Sequence, residues 1–328
     1  MRDLRFASVG GWHLHTDRFL GKVREYPGCS VCAVWDPDPI RGRERAKTYG
    51  CMYVDSYEKL LEDATIDGLI ITSPPKEHYV QIEKAIVARK HVFVEKPAFV
   101  NVSEAYAVRK ILNGTGLSLV VSDPIRSAKR QLLCARELMD SGRIGKVTMA
   151  RTRCAMPMAL NYEHIDSFDP ALSGGGILWD LGCHSIHMLN ILLGRPEKVH
   201  AAFGVMSMAA MEYGVEDNAA IIYEFENGVL GIAETSAVAE RREDFFLVSG
   251  TEGSICCMDK ELRFRTAGGE WVTIAPDIWP EEKDYPLYTW IDSIWNKETI
   301  TEGSIEDAVI YTEMISSAYK ASRQFVMV

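Results

Sequence analysis

The chain has 328 residues, 47% hydrophobic and 25% charged, with a formal net charge of −10 at pH 7. That length exceeds what one ordinary core supports, so two globular domains are expected, and the negative balance disfavours nucleic acid or an anionic membrane as partners. No apolar stretch reaches membrane-spanning length, and Met1-Arg2-Asp3-Leu4-Arg5-Phe6 enters a strand-like segment without a signal-peptide core, which predicts a cytoplasmic protein.

The first third alternates strand and helix. Strands are predicted at Leu4 to Val9, Ser30 to Trp35, Met52 to Val54, Gly68 to Thr72, His91 to Val94 and Leu117 to Ser122, with helices at His13 to Glu25, Ile40 to Tyr49, Glu77 to Ala88 and Val102 to Asn113. This alternation implies a doubly wound, mainly parallel sheet over residues 1–122, with ligands at its carboxyl edge. After strand one comes Val9-Gly10-Gly11-Trp12-His13-Leu14-His15. It is a degenerate glycine turn that either lets amides approach a pyrophosphate or simply needs positive φ. Asp36 ends strand two, where an acid takes the adenosine ribose hydroxyls and favours NAD; Arg41 and Arg43 follow, keeping NADP open. The bland alternative for Asp36 is a turn or cap residue.

Glu95-Lys96-Pro97 follows the apolar run of strand five. A lysine there can hold a substrate hydroxyl and relay its proton, although a Glu-Lys pair at a strand end is also a common solvated ion pair. The eight cysteines form no disulfide framework in a chain this long. Cys29 and Cys32 alternate onto opposite faces at a strand start, so they are expected to be packing residues.

Residues 123–328 change character. A helix at Lys129 to Ser141 is followed by strands at Lys146 to Cys154, Lys198 to Phe203, Ala219 to Phe225, Val229 to Thr235, Asp244 to Ser249 and Ser254 to Met258, then a last helix from Ile305 to Phe325. This predicts an α+β domain on one large, open, mainly antiparallel sheet. One helix interrupts the strands, after Gly174-Gly175-Gly176, and places Asp180, His184 and His187 at i, i+4 and i+7 on one face. Such a set orients a proton-transfer histidine, binds a transition metal with ligands from elsewhere, or satisfies itself as a buried polar cluster.

With these motifs in hand, the chain resembles the Gfo/Idh/MocA oxidoreductases over nearly its whole length. The matching segments are Ile71-Thr72-Ser73-Pro74-Pro75 with His78, Glu95-Lys96-Pro97, Ser141-Gly142-Arg143-Ile144-Gly145-Lys146-Val147, and Gly174-Gly175-Gly176 with Asp180-x-Gly182-x-His184. Further on are Glu216-Asp217-Asn218-Ala219, Glu226-Asn227-Gly228 and Gly250-Thr251-Glu252-Gly253-Ser254. The resemblance implies a Rossmann domain at 1–122, a substrate-binding and oligomerisation domain at 123–328, and hydride transfer with NAD, with NADP as the alternative cofactor. It implies catalytic roles for Lys96, Asp180 and His184: His184 as base, Asp180 orienting it, Lys96 polarising the same substrate oxygen. Gly10, Gly11, Trp12, His13, Asp36, Thr72, Ser73, Pro74, His78, Glu95 and Lys96 would lie along the cofactor.

Two departures stand out: the degenerate glycine turn, and His187, where many relatives carry an acid. Arg126, Arg153, Tyr162, His164, Trp179 and His187 are candidates for the substrate pocket or, equally, packing residues. The leading expectation is an NAD-dependent dehydrogenase acting on a secondary alcohol of a sugar, inositol or related polyol, as a homodimer or homotetramer without a metal. Alternatives are a glycosidase or lyase that retains NAD and uses transient oxidation, a non-catalytic nucleotide- and sugar-sensing regulator, and a metal-dependent lyase built on His184 and His187.

Overall fold

Parallel strands buried on both faces read as unbroken apolar runs, and Gly68-Leu69-Ile70-Ile71 and Val92-Phe93-Val94 are such runs, buried throughout. The computed structural model describes residues 2–122, 128–161, 165–205, 214–280, 285–298, 300 and 303–322; of 160, 161, 165, 167, 201, 203 and 205 it describes the backbone only. The elements in chain order are β1 (Leu4–Val9), α1 (Thr16–Glu25), β2 (Cys29–Trp35), α2 (Pro39–Tyr49), β3 (Met52–Tyr53), α3 (Tyr57–Glu62), β4 (Gly68–Ile71), α4 (Pro75–Val87), β5 (His91–Val94), α5 (Val102–Leu112) and β6 (Leu119–Val121). They continue with α6 (Lys129–Asp140), β7 (Val147–Ala155), α7 (Met158–Asn161), α8 (Pro170–Ser173), α9 (Ile177–Asp180), α10 (Gly182–Leu193), β8 (Lys198–Val205), β9 (Asn218–Glu224) and β10 (Leu230–Ser236). The last are β11 (Glu243–Gly250), β12 (Gly253–Met258), β13 (Glu261–Thr266), β14 (Val272–Thr273), α11 (Pro286–Asn296) and α12 (Ile305–Ser322).

Two compact units result. The first joins Met1–Asp123 to Asp284–Val309, the second Pro124–Lys283 to Ile310–Val328. The expected division gave everything after 122 to the second domain; residues 284–309 instead group with the first. The reason is apolar burial on α11. Its Leu287, Trp290 and Ile291 enter the core of Leu4, Phe6, Ile70, Phe93 and Val120. The Trp290 ring lies 4.8 Å from Phe6 and 5.8 Å from Phe93, and its Nε1 donates to Ser118 O at 3.3 Å.

The first unit's sheet runs β3-β2-β1-β4-β5-β6, all parallel. The strand order reverses between β1 and β4, which makes their carboxyl ends the ligand-binding edge. α1 starts at Thr16, three residues later than the apolar periodicity suggests, because 10–15 form a turn in which the His13 amide donates to Thr72 O at 3.1 Å. Cys29 and Cys32 both lie on β2, where burial and acidic neighbours push Cys29 up to about 12 and burial raises Cys32, the reverse of what a reactive thiolate needs.

The second unit's sheet runs β14-β13-β12-β11-β7-β10-β9-β8, antiparallel except for the β7/β10 pair. Side chains alternate across it. Ala150, Thr152 and Cys154 of β7, with Ala233 of β10 and Phe246 and Val248 of β11, are buried on one face. α10 packs on that face, where Thr152 Oγ1 donates to Ser185 O at 2.8 Å. Among the described residues no helix is long and apolar enough to cross a membrane.

Candidate active site

The ends of β1 and β4 meet at the switch point. Gly10 has φ +69°, and a Cβ there would lie 2.3 Å from Ser73 Oγ and 2.9 Å from Ser73 Cα, so only glycine lets the two loops touch. Thr16 Oγ1, at the start of α1, donates to Thr72 Oγ1 at 3.0 Å or to His13 O at 2.6 Å. His78 is fully buried behind this edge, with Nε2 2.8 Å from Ser73 O and Nδ1 3.1 Å from Pro97 O. Burial lowers its pKa, and the ring lies between the β4 loop and the Glu95-Lys96-Pro97 loop, against a carbonyl of each. Trp12 is half-buried in the turn, and Pro74 stands immediately before α4 as its N-cap residue.

Glu95 and Lys96 are both buried at the end of β5, and the Lys96 amide donates to Ser122 Oγ at 3.0 Å. Burial pushes the Glu95 carboxyl upward, but His13, His15 and Lys96 together outweigh it and hold the group well below the usual carboxylate range. His15 Nδ1 lies 3.3 Å from Oε2, and His13 Nε2 lies 3.9 Å from Oε1. The three side chains bring ligand atoms within 4.8 Å of one another. Yet His13 Nδ1 accepts the His15 amide at 3.2 Å, which leaves its proton on Nε2, toward the carboxylate. In that tautomer the buried Glu95 carboxylate faces the ring nitrogens of both imidazoles.

Asp36 differs from the open acid that the sequence suggests. Its buried carboxylate takes Arg41 Nε at 2.8 Å and Nη2 at 2.7 Å, and its Oδ1 also accepts the Asp38 amide at 2.9 Å. Arg43 turns away and stacks over Tyr53, 4.5 Å from the ring centroid. Arg45 takes its place, with Nη1 3.7 Å from Asp36 Oδ2, and crosses Gly11 so closely that a Cβ there would fall 1.7 Å from Nη1. The turn therefore offers a cradle that a side chain at Gly10 or Gly11 would fill, which fits a dinucleotide pyrophosphate approaching the N-terminus of α1.

In the second unit the glycine run shapes the start of α9. Glu216 O accepts the Ile177 amide at 2.9 Å, and Glu216 Oε1 accepts the Leu178 amide at 3.1 Å and the Tyr319 hydroxyl at 2.6 Å. A Cβ at Gly176 would meet Glu216 O at 2.3 Å. Burial raises the Glu216 carboxyl. The single helix expected over this stretch is two, α9 and α10, joined at Leu181, and the His184 amide reaches Leu181 O at 3.0 Å. Of residues 177–189, only Asp180 and His184 are part-exposed; all others are buried. One turn apart, they form the open polar stripe of an otherwise closed segment. His187, expected on the same face, is buried beside Tyr311, ring centroids 6.5 Å apart.

The remaining substrate candidates separate. Trp179 is 3% exposed and stacks on Tyr319, as a packing residue does. Arg153 points away from α10, onto the other sheet face, and pairs with Glu243 at 2.5 Å and Glu234 at 4.0 Å. Arg126, Tyr162 and His164 lie outside the described residues.

Comparison with known proteins places this site in a family. Residues 4–122 match the model described as the oxidoreductase family with an NAD-binding Rossmann fold, and residues 132–256 match the GFO/IDH/MocA C-terminal domain. The chain belongs to the Gfo/Idh/MocA family. It is 30% identical over 284 residues to scyllo-inositol 2-dehydrogenase (NAD(+)) of Bacillus subtilis, spanning 84% of this chain and 81% of the relative. Inositol 2-dehydrogenase of Rhizobium meliloti is 28% identical over 250 residues, 75% of this chain and 73% of that one. The crystal structure of aldose-aldose oxidoreductase from Caulobacter crescentus, complexed with glycerol, superposes with a TM-score of 0.82 at 21% identity, covering 98% of each chain.

As a member of the Gfo/Idh/MocA family, this protein is an oxidoreductase with an NAD-binding Rossmann domain. Sequence reasoning missed three residues that shape the candidate segments of the two units. Glu216 sits in a motif noted only for the resemblance, and Tyr319 and Arg45 act through contacts more than twenty residues away in the chain.

Proposed function

We propose that this family member oxidises a secondary hydroxyl of an inositol, sugar or related polyol, passing hydride to NAD. The observation that carries this reading is the Asp180/His184 stripe, the open pair in a segment whose every other residue is buried. His184 accepts the hydroxyl proton, and Asp180 one turn earlier favours the charged imidazolium that results. Lys96 supplies an ammonium for the developing negative charge on oxygen, with Glu95 as its buried counter-ion. NAD, when bound, supplies the hydride acceptor; Gly10, Gly11 and the first turn of α1 would hold its pyrophosphate. The polyol class is supported by the two inositol dehydrogenases to which the chain is similar. The test is nicotinamide reduction against a panel of inositols, sugars and sugar acids, with a kcat/KM of about 10⁴ M⁻¹s⁻¹ or more expected for one of them. Substrate conversion without net NAD reduction would assign transient oxidation instead.

The protein is also proposed to be a cytoplasmic homo-oligomer. Support comes from the sheet face opposite α10, where part-exposed Ile222, Ile232 and Leu247 join exposed Met149 and Leu230 around the Arg151–Glu234 ion pair.

A further inference from the structure

We infer that Glu216 and Tyr319 are positioning residues for the proton relay, fixing where α9 begins and so where it presents Asp180 to His184. The inference rests on the proton transfer proposed for His184. α9 is a single turn, Ile177–Asp180, far too short to hold itself in water, and its N-cap, Gly176, has no side chain to cap it. The orphan amides of its start reach one acid and one phenol instead. Gly176 N donates to Tyr319 Oη at 3.2 Å, Ile177 N to Glu216 O at 2.9 Å and Leu178 N to Glu216 Oε1 at 3.1 Å. The Tyr319 hydroxyl donates in turn to the same Oε1 at 2.6 Å, which closes the clamp.

Three glycines make room for it. A Cβ at Gly175 would lie 2.7 Å from Tyr319 Oη, one at Gly176 2.6 Å from Glu216 Oε2, and one at Gly204 3.1 Å from Glu216 Cβ. The acid is itself tied to the sheet, since the carbonyl of its buried neighbour Asp217 accepts the Ala237 amide at 2.8 Å, just beyond β10. Tyr319 also stacks on Trp179, the residue before Asp180, with ring centroids 6.1 Å apart. α10 is held separately, by burial on the sheet and by Thr152 Oγ1 donating to Ser185 O. Loosening α9 therefore moves Asp180 against a His184 that stays in place. Both side-chain contacts of Glu216 are made by donors to one oxygen, so an amide in its place keeps the acceptor.

Kinetics on the polyol that the wild type turns over best, with NMR spectra of the substrate-free, histidine-labelled protein, test this. Glu216→Ala should lower kcat about 10–100-fold while the polyol KM and the NAD⁺ dissociation constant each stay within about threefold, and it should shift the His184 ring resonances, which are assigned by their loss in His184→Ala. Glu216→Gln should return kcat to within about threefold of wild type and restore the resonances. A Glu216→Ala kcat within about threefold of wild type, or a loss that Glu216→Gln does not recover, overturns the inference. Should Glu216→Ala fail to fold, Tyr319→Phe decides, because it keeps the stack on Trp179 and removes the hydroxyl: kcat should fall about fivefold or more at unchanged KM, and a smaller fall overturns the inference. If no polyol is turned over, the spectra decide alone. His184 resonances unmoved by Glu216→Ala overturn the clamp, whereas a shift reversed by Glu216→Gln supports it and only the polyol reading falls.

Discussion

Glu95→Gln is the perturbation that most directly probes the electrostatics of the cofactor edge. The carboxylate is 1% exposed, with His15 Nδ1 at 3.3 Å and His13 Nε2 at 3.9 Å and Lys96 next in sequence. Hydrogen bonds to a charged carboxylate contribute about 1.5–3 kcal/mol each, and its burial offsets several kcal/mol of that. Removing one member of a buried pair costs about 3–5 kcal/mol, and glutamine, which keeps the shape, should fall near 3. The Glu95 carboxyl is held below its ordinary value in the fold. Its contribution is therefore fully present above the unfolded pKa of about 4.3, and is lost as pH falls toward the lower folded value. Urea denaturation should show wild type more stable than Glu95→Gln by about 3 kcal/mol at neutral pH, with the gap closing on acidification below about pH 4. A neutral-pH difference under about 1 kcal/mol, or a gap that widens in acid, would refute the reasoning.

Three further outcomes follow from the same structure. Trp290→Ala empties the largest fully buried side chain among the described residues and should lower stability by about 3–5 kcal/mol, measured by thermal unfolding; a loss below about 1 kcal/mol would mean α11 does not cover the first sheet. Exhaustive chelation should leave turnover unchanged, because the proposed proton transfer by His184 needs no ion; loss of activity restored by one divalent metal would show the His13–His15–Glu95 trio to be a ligand set. Mass measurement in solution should find a dimer or larger, and a monomer at micromolar concentration would remove the role given to the outer face of the eight-stranded sheet.

The fold was legible where one signal dominates. The buried runs of β4 and β5 read directly as parallel strands. α11 is legible as well: Pro286 at its first position and Leu287, Trp290, Ile291 and Ile294 at helical spacing are an amphipathic signature. No local pattern, however, says which sheet such a helix covers. Alternation along β7 already separates Arg151 and Arg153 from Thr152 and Cys154, and it argues against Arg153 as a partner of α10. The Asp36–Arg41 pairing and the crossing of Gly11 by Arg45 were not legible, because they depend on how α2 lies against the glycine turn. The shared face of Asp180 and His184 is legible from their spacing, whereas the burial of His187 depends on Tyr311, far along the chain.

The proton relay proposed on α9 and α10 serves oxidation of a polyol hydroxyl. The most direct measurement is NAD⁺ reduction by His184→Ala on the polyol that the wild type turns over best, with NAD⁺ affinity measured on the same preparation. Turnover should fall by about two to four orders of magnitude while the NAD⁺ dissociation constant stays within about threefold, and Lys96→Met should lose turnover to a similar extent. Near-wild-type turnover by His184→Ala would contradict the account.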